Sequence, residues 1–346
     1  TPEESFQHSG SSAFNSEIIQ LLSDRVDTEP VAYELGTSSL DRSVVRHDKQ
    51  IIRVANYDLV PVHMSARDKV DPRGLFLVYD YPRRDVFYSI GGDPSLGISG
   101  WHRTTRTDNE DEMRIDNSAL EVLYRHPRTG HIRQAAEFAG PITPKEFAIY
   151  CLVMCHFYPG TAGEHRGGAL ILEVYPGPGG QTQARMQYEM GFSNFYQWKT
   201  FNGMEVKETD SYGWVSNGKS VREAWIKIKE LAEDRQYLPF RPQSRYLLGE
   251  MSYATWDPSR MRGMALSGYH DDRISATLFA TWQLEDWSIP KPAPVMEPVY
   301  GRTPGDKPLH LVDFQERDDV YDEDSYEAAV NDFIRRGLAR VSGGRR

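Results

Sequence analysis

Apolar and polar positions alternate in short runs between residues 85 and 140, which is the pattern of β-strands. The first run, VFYSIGG, is followed by Asp93 and a turn rich in Gly, Asp and Pro. Two further runs within 117–140 are separated by the turn residues HPRTG, as in a hairpin. The pattern therefore predicts three successive antiparallel strands. An earlier run, 74–82, alternates like an edge strand that Pro82 closes.

Beyond residue 142, segments with the apolar periodicity of helices alternate with short apolar runs that are typical of strands. Thr143, Pro144 and Glu146 form the start signal of a helix that the pattern extends to residue 158. A buried strand, 168–173, ends in Glu173. The remaining predicted elements are a helix at 179–192, a short strand at 195–199, a loop and amphipathic helix within 213–234, and a final helix at 269–287.

This order of elements predicts an α/β fold. Three antiparallel strands followed by helix-linked parallel strands give a mixed sheet of five strands, or slightly more, with helices on both faces. The order is that of ribonuclease H-like proteins, and other α/β folds can share it.

Composition narrows the class of protein. A chain of 346 residues allows one large domain or two, and a hydrophobic content of 39% with a mean hydropathy of −0.59 is typical of a soluble protein. No run of about 18 apolar residues occurs, so no membrane span is expected. The two cysteines, Cys151 and Cys155, lie four apart in a predicted helix, and so few cysteines suit a reducing cytoplasm.

The net charge is unevenly distributed. Its value of −10 taken alone argues against a nucleic-acid-binding protein. The stretch 313–327 holds eight acids and one arginine, however, so the rest of the chain carries only −3. A Pro-rich linker precedes this acidic stretch and a basic tail follows it.

Four acids from three distant places in the sequence converge in the predicted fold. The first and fourth strands are neighbours there, and they end in Asp93 and Glu173 at the edge where open α/β sheets place ligands. Asp271 and Asp272 begin the last helix, which packs beside that edge. Such carboxylates repel one another unless divalent cations neutralise them, and oxygen ligands suit Mg²⁺ or Mn²⁺. Two ions about 4 Å apart can clamp a phosphodiester during hydrolysis.

Each acid also has a structural alternative. Asp93 precedes a proline and suits an Asx-turn, and Asp271 or Asp272 suits a helix cap. Glu173 is harder to explain without a cation, and its alternative is a buried salt bridge, for example with Arg185. Asp116 is a weaker fourth candidate that suits a turn.

Several blocks of the sequence resemble one family when they are taken in order. The blocks are FYSIGGDPSLG, DNSALEVL, LILEVYPGPGGQTQARMQYEMGFSNFYQ, GWVSNGKSVREAW and YHDDRISATLFA. They resemble the nuclease domain of tailed-phage terminase large subunits. The opening, TPEESFQHSGSSAF, resembles the stretch where the motor domain of such proteins meets the nuclease. The resemblance covers residues 1–287.

The resemblance implies an endonuclease that uses two Mg²⁺ or Mn²⁺ ions to cut concatemeric double-stranded DNA during genome packaging in the cytoplasm of an infected host cell. Its metal-binding acids correspond to Asp93, Glu173 and the pair Asp271 and Asp272, of which we place Asp271 first. The implied partners are the portal protein, the small terminase subunit and the ATPase motor domain. The stretch 98–115 is an insertion relative to the family pattern.

The resemblance also suggests a division of the chain into three parts. Residues 1–84 form a linker and leading segment, 85–287 the nuclease core, and 288–346 a Pro-rich linker, acidic stretch and basic tail. No G-x-x-x-x-G-K-[ST] stretch occurs, so we expect this chain to cut DNA and not to pump it.

DNA contacts are expected to be electrostatic and largely independent of sequence. The candidates are basic residues near the predicted fifth strand and its neighbouring helices, namely Arg185, Lys199, Lys219, Arg222 and Lys227. A solvated surface charge is the alternative for each. Rival functions are another ribonuclease H-like nuclease, such as a junction resolvase, and a non-catalytic module that docks DNA or the portal. A calcium-binding structural domain fits less well, because no D-x-D-x-D-G loop occurs.

Overall fold

A computed structural model describes most of the chain up to residue 285. The described residues are 12–26, 28–37, 52–54, 57–83, 86–101, 115–158, 169–175, 177–202, 205–234, 237, 239–266 and 269–285. All of them belong to the first of the two units, Thr1–Val295 and Met296–Arg346, into which the chain divides. Most of the 98–115 insertion and the predicted linker, acidic stretch and basic tail of 288–346 lie outside the described residues.

The described elements alternate between strands and helices. The strands are β1 Val31–Thr37, β2 Ile52–Val54, β3 Tyr57–Val62, β4 Phe76–Val78, β5 Tyr88–Asp93, β6 Ser118–Arg125, β7 Ile132–Gly140, β8 Ala169–Tyr175, β9 Gln197–Asn202, β10 Glu205–Tyr212, β11 Trp214–Val215, β12 Phe240–Arg241, β13 Ala254–Asp257 and β14 Arg262–Ala265. The helices are α1 Ser16–Ser23, α2 Ala66–Val70, α3 Pro144–Phe157, α4 Gly179–Ala184, which continues as a π-helical turn Arg185–Glu189, α5 Gly218–Glu233, α6 Arg245–Tyr253 and α7 Asp272–Leu284. Among the described residues, no helix has the length and apolar character that crossing a membrane requires.

The main sheet confirms the predicted fold class. Its central strands lie in the order β11-β8-β5-β6-β7. The pairs β5–β6 and β6–β7 are antiparallel, whereas β5–β8 and β8–β11 are parallel. This is the mixed, ribonuclease H-like arrangement in which the first strand lies between the second and the fourth.

Helices cover both faces of this sheet, as predicted. One apolar core lies between the sheet and α3, and its strand residues include Ile90 and Leu172. The other core contains residues of α1, α5, α6 and α7, together with Leu123 and Ile171. Adjacent strand residues such as Ile171 and Leu172 therefore point into opposite cores, which is why these strands are apolar throughout.

The sheet extends further than the sequence pattern indicates. Strands β4, β1, β3 and β2 continue it beyond β7, and β12 also pairs with β7. The prediction that 74–82 forms an edge strand is wrong. The strand there, β4, lies inside the sheet, because it pairs with both β1 and β7 and its three residues are buried. Strands β1 to β4 thus add to the same sheet as the predicted core.

The fifth strand of the core is also not the predicted one. The segment 195–199 contributes β9, which pairs with β10 in a separate hairpin and reaches the sheet only by a bridge from Phe195 to Leu170. The fifth position is taken by β11, where the fully buried Trp214 lies beside Glu173. Burial of the Trp214 indole in the apolar core stabilises the pairing of β11 with β8, which is why β11 and not 195–199 forms the fifth strand.

Helix α7 lies directly on β5, and a glycine permits that approach. A Cβ at Gly91 would collide with the carbonyl oxygen of Ala276 and lie 2.7 Å from the amide nitrogen of Ala280. Ser89 of β5 also donates a hydrogen bond of 2.8 Å to the carbonyl oxygen of Ala280. The start of α7 is thereby held beside the carboxyl end of β5.

Candidate metal centre

The first two predicted acids lie near the carboxyl ends of neighbouring parallel strands. Asp93 is the last residue of β5, whereas β8 continues past the predicted strand end at Glu173 to Tyr175, because this part of β8 pairs with β11. Gly92 of β5 pairs in register with Leu172 of β8, and Asp93 and Glu173 are the residues that follow them. The two carboxyl groups lie within hydrogen-bonding reach of each other. The predicted convergence of these acids is therefore present in the fold.

The other two acids come from the start of α7. Asp271 occupies the N-cap position and Asp272 the first helical position. Both carboxylates are close enough to raise the pKa of Asp93 by charge repulsion, and the hydroxyl of Ser275, one turn into the helix, is close enough to lower it. Asp272 is buried, whereas the other three acids keep part of their surface accessible. The four predicted acids thus form one cluster, which we call the carboxylate cluster.

Removal from water dominates the electrostatics of this cluster. It raises the pKa of Asp93 well above the usual range, and the charges of Glu173, Asp272 and Asp271 raise it further. Burial likewise raises the pKa of Glu173, Asp271 and Asp272. A metal-free cluster therefore retains protons that ordinary carboxyl groups release, because repelling charges cannot all be accommodated in a poorly hydrated site.

Glu173 is held by the segment that follows β11. Ser216 Oγ donates a hydrogen bond to Glu173 Oε1, and Trp214 Nε1 donates to Ser216 Oγ over 3.0 Å. The alternative of a salt bridge with Arg185 is not among the described contacts of Glu173. Arg185 instead donates to the carbonyl oxygen of Lys145 and lies 3.3 Å from a carboxylate oxygen of Glu189.

Asp272 is fixed through one oxygen, Oδ2. The backbone amide and the side-chain amide of Asn117 donate to it over 3.1 and 3.0 Å, and His270 Nδ1 lies 3.4 Å away. These partners lower the pKa of Asp272, which partly opposes the effect of burial. Asp116 Oδ1 lies 3.9 Å from His270 Nδ1, with 81% of its side chain exposed.

Asp271 does not act as the predicted helix cap. Its side chain makes no capping hydrogen bond to the first turn of α7. Its Oδ2 accepts instead from the amide of Ala265, at the end of β14, over 3.2 Å. The helix-cap alternative is thus excluded for the Asp271 side chain.

The donor set of the cluster fits divalent cations. Four carboxylates with only hydroxyl, amide and histidine partners leave a large uncompensated negative charge in a partly buried site. Hard oxygen ligands of this kind suit Mg²⁺ or Mn²⁺. Among the described residues, the group of side chains whose ligand atoms all lie within 4.8 Å of one another is Asp116, His270 and Asp272, a mixed nitrogen and oxygen set. Asp93, Glu173 and Asp271 lie outside that group, so the carboxylates of the cluster taken together are more widely spaced than these three ligand atoms.

The predicted DNA-contacting residues lie at different distances from this cluster. Lys219 is on the first turn of α5, just after the Ser216 that contacts Glu173, and 75% of its side chain is exposed. Arg222 lies on the next turn of the helix. Lys227 lies further along α5, 3.4 Å from Glu285 at the opposite end of α7 from the cluster. The side chain of Lys199 lies outside the described residues.

Four residues that hold the cluster were not assigned from the sequence: Ser216, Asn117, Ser275 and Glu250. Ser216 and Asn117 do occur within the sequence blocks GWVSNGKSVREAW and DNSALEVL, next to the predicted turns. Their hydroxyl and amide groups carry no pattern of their own. Only the approach of β11, β6 and α7 identifies what they contact.

No protein-family model and no curated protein matches this sequence. The fold is similar in outline to solved structures of phage large terminase nucleases. For the nuclease from thermophilic phage G20c with bound magnesium, the TM-score is 0.40 at 15% identity, covering 61% of this chain and 88% of that one. For the Thermus phage P74-26 large terminase nuclease domain, the values are 0.40, 16%, 62% and 88%.

The nuclease domain of the large terminase from bacteriophage SPP1 with bound Mn gives a TM-score of 0.33 at 11% identity, covering 57% of this chain and 86% of that one. These are nuclease domains of the family that the sequence blocks resemble. The roles proposed for residues of this chain rest on its own carboxylates and hydrogen bonds.

Proposed function

We propose that this chain is a metal-dependent endonuclease that cleaves double-stranded DNA during viral genome packaging. The observation that carries the proposal is the carboxylate cluster, in which Asp93, Glu173, Asp271 and Asp272 meet at the carboxyl end of the central strands. Burial raises the pKa of each of them, so the site favours either protons or cations. An uncompensated cluster of this kind is a candidate catalytic site.

In this proposal the four carboxylates hold two Mg²⁺ or Mn²⁺ ions. Such ions, when bound, polarise a phosphodiester and lower the pKa of attacking water. The chain's own contribution is orientation. Ser216 fixes one oxygen of Glu173, and Asn117 with His270 holds Oδ2 of Asp272. The hydroxyl of Ser275 favours the ionised form of Asp93.

Contacts to DNA are proposed along the start of α5. Lys219 is well exposed there, and Arg222 lies one turn further along. The positively charged side chains of Lys219 and Arg222 would bind DNA phosphates and would not contact the bases. The predicted contacts at Arg185, Lys199 and Lys227 remain part of the proposal. Arg185 and Lys227 have partners in the fold, as does Lys219, which lies 3.9 Å from Glu223.

The wider setting follows from the sequence resemblance and belongs to the proposal too. It comprises concatemeric DNA as substrate, a portal protein, a small terminase subunit and an ATPase motor as partners, and the cytoplasm of an infected host cell. A non-catalytic docking module is the competing function from another class. A junction-resolving nuclease is the competitor within the same fold.

Plasmid cleavage tests the proposed function. Wild-type protein should cut supercoiled DNA with Mn²⁺ or Mg²⁺ and be inactive with EDTA. Glu173→Ala and Asp93→Ala should be inactive while their circular dichroism matches that of the wild type. A wild type that never cuts supports the docking module instead. Preferential cutting of a four-way junction over a linear duplex supports the resolvase.

A further inference from the structure

The N-terminus of α7 is capped in an unusual way. The first amide groups of a helix lack partners within the helix, and the N-cap side chain commonly accepts hydrogen bonds from them. Asp271 occupies the N-cap position of α7, yet its side chain makes no such bond. The free amides of this turn must therefore find another acceptor.

That acceptor is Glu250, on helix α6. Its Oε2 accepts from the amides of Arg273 and Ile274 over 2.9 and 3.3 Å. Its Oε1 accepts from Arg273 Nη1 over 2.9 Å. One carboxylate from a neighbouring helix thus accepts hydrogen bonds from two backbone amides of α7 and from the Arg273 guanidinium.

The position of Glu250 is itself fixed from several sides. Arg273 is buried, and its Nε donates to Glu137 of β7 over 3.0 Å. Glu137 Oε1 also accepts from Tyr79 and from Ser244, each over 2.7 Å. Ser244 in turn caps α6, the helix that carries Glu250. Helix α6, strand β7 and the start of α7 are therefore joined by one buried network.

Burial raises the pKa of Glu250 to about 8, against the opposing effect of Arg273 and of the hydrogen bonds that Glu250 accepts. Its described partners are all donors, and they reach both of its oxygens. These donors favour the ionised form of Glu250 and so act against the effect of burial on its pKa.

From this arrangement we infer that Glu250 is a positioning residue for the proposed metal centre. It caps α7 in place of Asp271 and so leaves the Asp271 carboxylate available to a cation. The inference rests on the proposed function, because it assigns Asp271 a cation to bind. Without Glu250, the nearest acceptor for the free amides is the Asp271 side chain itself, and its rotation into the capping position would withdraw it from the cluster.

A calorimetric titration of metal-free protein with Mn²⁺ tests this inference without any measurement of cleavage. Glu250→Ala should weaken Mn²⁺ binding roughly tenfold, the order expected when a residue that orients a ligand is lost. Asp271→Asn should weaken it as well. The double variant should bind Mn²⁺ no more weakly than Asp271→Asn alone, since Glu250 acts through Asp271.

Asn15→Ala is the matched control. Asn15 caps α1 through its side chain, and none of its described hydrogen bonds is to the carboxylate cluster or to Glu250. Its loss should lower the melting temperature, as the loss of Glu250 does, but leave Mn²⁺ affinity unchanged. Glu250→Gln, which keeps one oxygen acceptor for the first turn, should lose less affinity than Glu250→Ala, and it repeats the cycle if Glu250→Ala does not fold.

The outcomes separate this inference from the proposed function. Unchanged Mn²⁺ affinity in the Glu250 variants overturns the positioning role, as do losses that add fully in the double variant, and both leave the metal centre intact. A wild type that binds no Mn²⁺ overturns the proposed function as well as the inference.

Discussion

Asp93 and Glu173 lie side by side at the carboxyl ends of adjacent parallel strands, and their carboxyl groups are within hydrogen-bonding reach. Burial raises the pKa of both, and the charges of Glu173 and of Asp271 raise the pKa of Asp93 and of Glu173 respectively, so ionising the whole cluster is costly. The arrangement is unfavourable for a metal-free protein at neutral pH and favourable for cation binding. Stability and activity should therefore respond in opposite directions to changes in these residues.

Asp93→Asn should stabilise the metal-free protein while abolishing cleavage. The amide removes a charge from a poorly hydrated site that contains three other acids, as in other trade-offs between stability and function. We expect a gain of about 1 kcal/mol, or roughly 2–4 °C in melting temperature. Thermal unfolding in EDTA measures it, and a lower melting temperature than that of the wild type would contradict the electrostatic argument.

The raised pKa values also set the pH dependence of stability. Each acid of the cluster has a folded-state pKa above its unfolded value, so the folded chain holds protons that the unfolded chain has released. Stability then falls as pH rises, from the unfolded values of about 4 up through the raised folded values. Metal-free protein should melt at a higher temperature at pH 5.5 than at pH 8.

The control for this pH dependence is the double variant Asp93→Asn with Glu173→Gln. Its melting temperature should depend less on pH than that of the wild type over the same range. Adding Mn²⁺ to the wild type should raise the melting temperature more at pH 8 than at pH 5.5, because protons compete with the cation. Equal slopes in wild type and double variant would assign the effect to other groups.

Ser216→Ala should weaken metal use without unfolding the protein. The hydroxyl orients Glu173 and is itself fixed by Trp214. Its loss should raise the Mn²⁺ concentration needed for half-maximal cleavage by roughly tenfold, as expected for a partner of a metal ligand. Saturating Mn²⁺ should restore most of the rate. Thr129→Ala, on the β6–β7 turn, is a control that should leave the metal requirement unchanged.

Gly91→Ala should disrupt the carboxylate cluster indirectly, by displacing helix α7. The added methyl group would collide with the backbone of α7 at Ala276 and displace the helix that begins with Asp272. The cost should be about 1–3 kcal/mol of stability, together with loss of cleavage. Gly249→Ala is the control, because a Cβ there meets nothing within 4 Å, and alanine is the better helix former. Its stability should rise, with cleavage preserved.

Lys219→Ala and Arg222→Ala test the proposed DNA contacts. Binding measured with Ca²⁺ should weaken to a similar extent on unrelated duplexes, since phosphates carry no sequence information. Each contact removed should lower the slope of log affinity against log salt by about 0.9. Lys69→Ala removes a surface charge near Glu29 and should leave binding unchanged. Unchanged slopes in the α5 variants would exclude this surface.

Local patterns in the sequence were sufficient to predict the central fold and the approach of the four acids to one another. The hairpin of β6 and β7, the Thr143 cap of α3 and the end of β5 at Asp93 follow from neighbouring residues, whereas β8 runs two residues past the predicted end at Glu173. Apolar alternation, turn residues and capping boxes act over a few positions, so a sequence shows them directly. The order of these elements then implied which strand ends would meet.

The tertiary structure alone decided which segments complete the sheet and which side chains orient the acids. Strands β1 to β4 join the sheet, and Trp214 in place of residues 195–199 takes the fifth position, because pairing and burial are settled against distant partners. Glu250 lies 21 residues before Asp271 and caps its helix only because α6 packs beside α7. A carboxylate that caps a helix from a neighbouring element has no fixed sequence spacing to that helix, so no local pattern predicts it. An acid that follows an apolar run near the end of a strand is visible in the sequence itself.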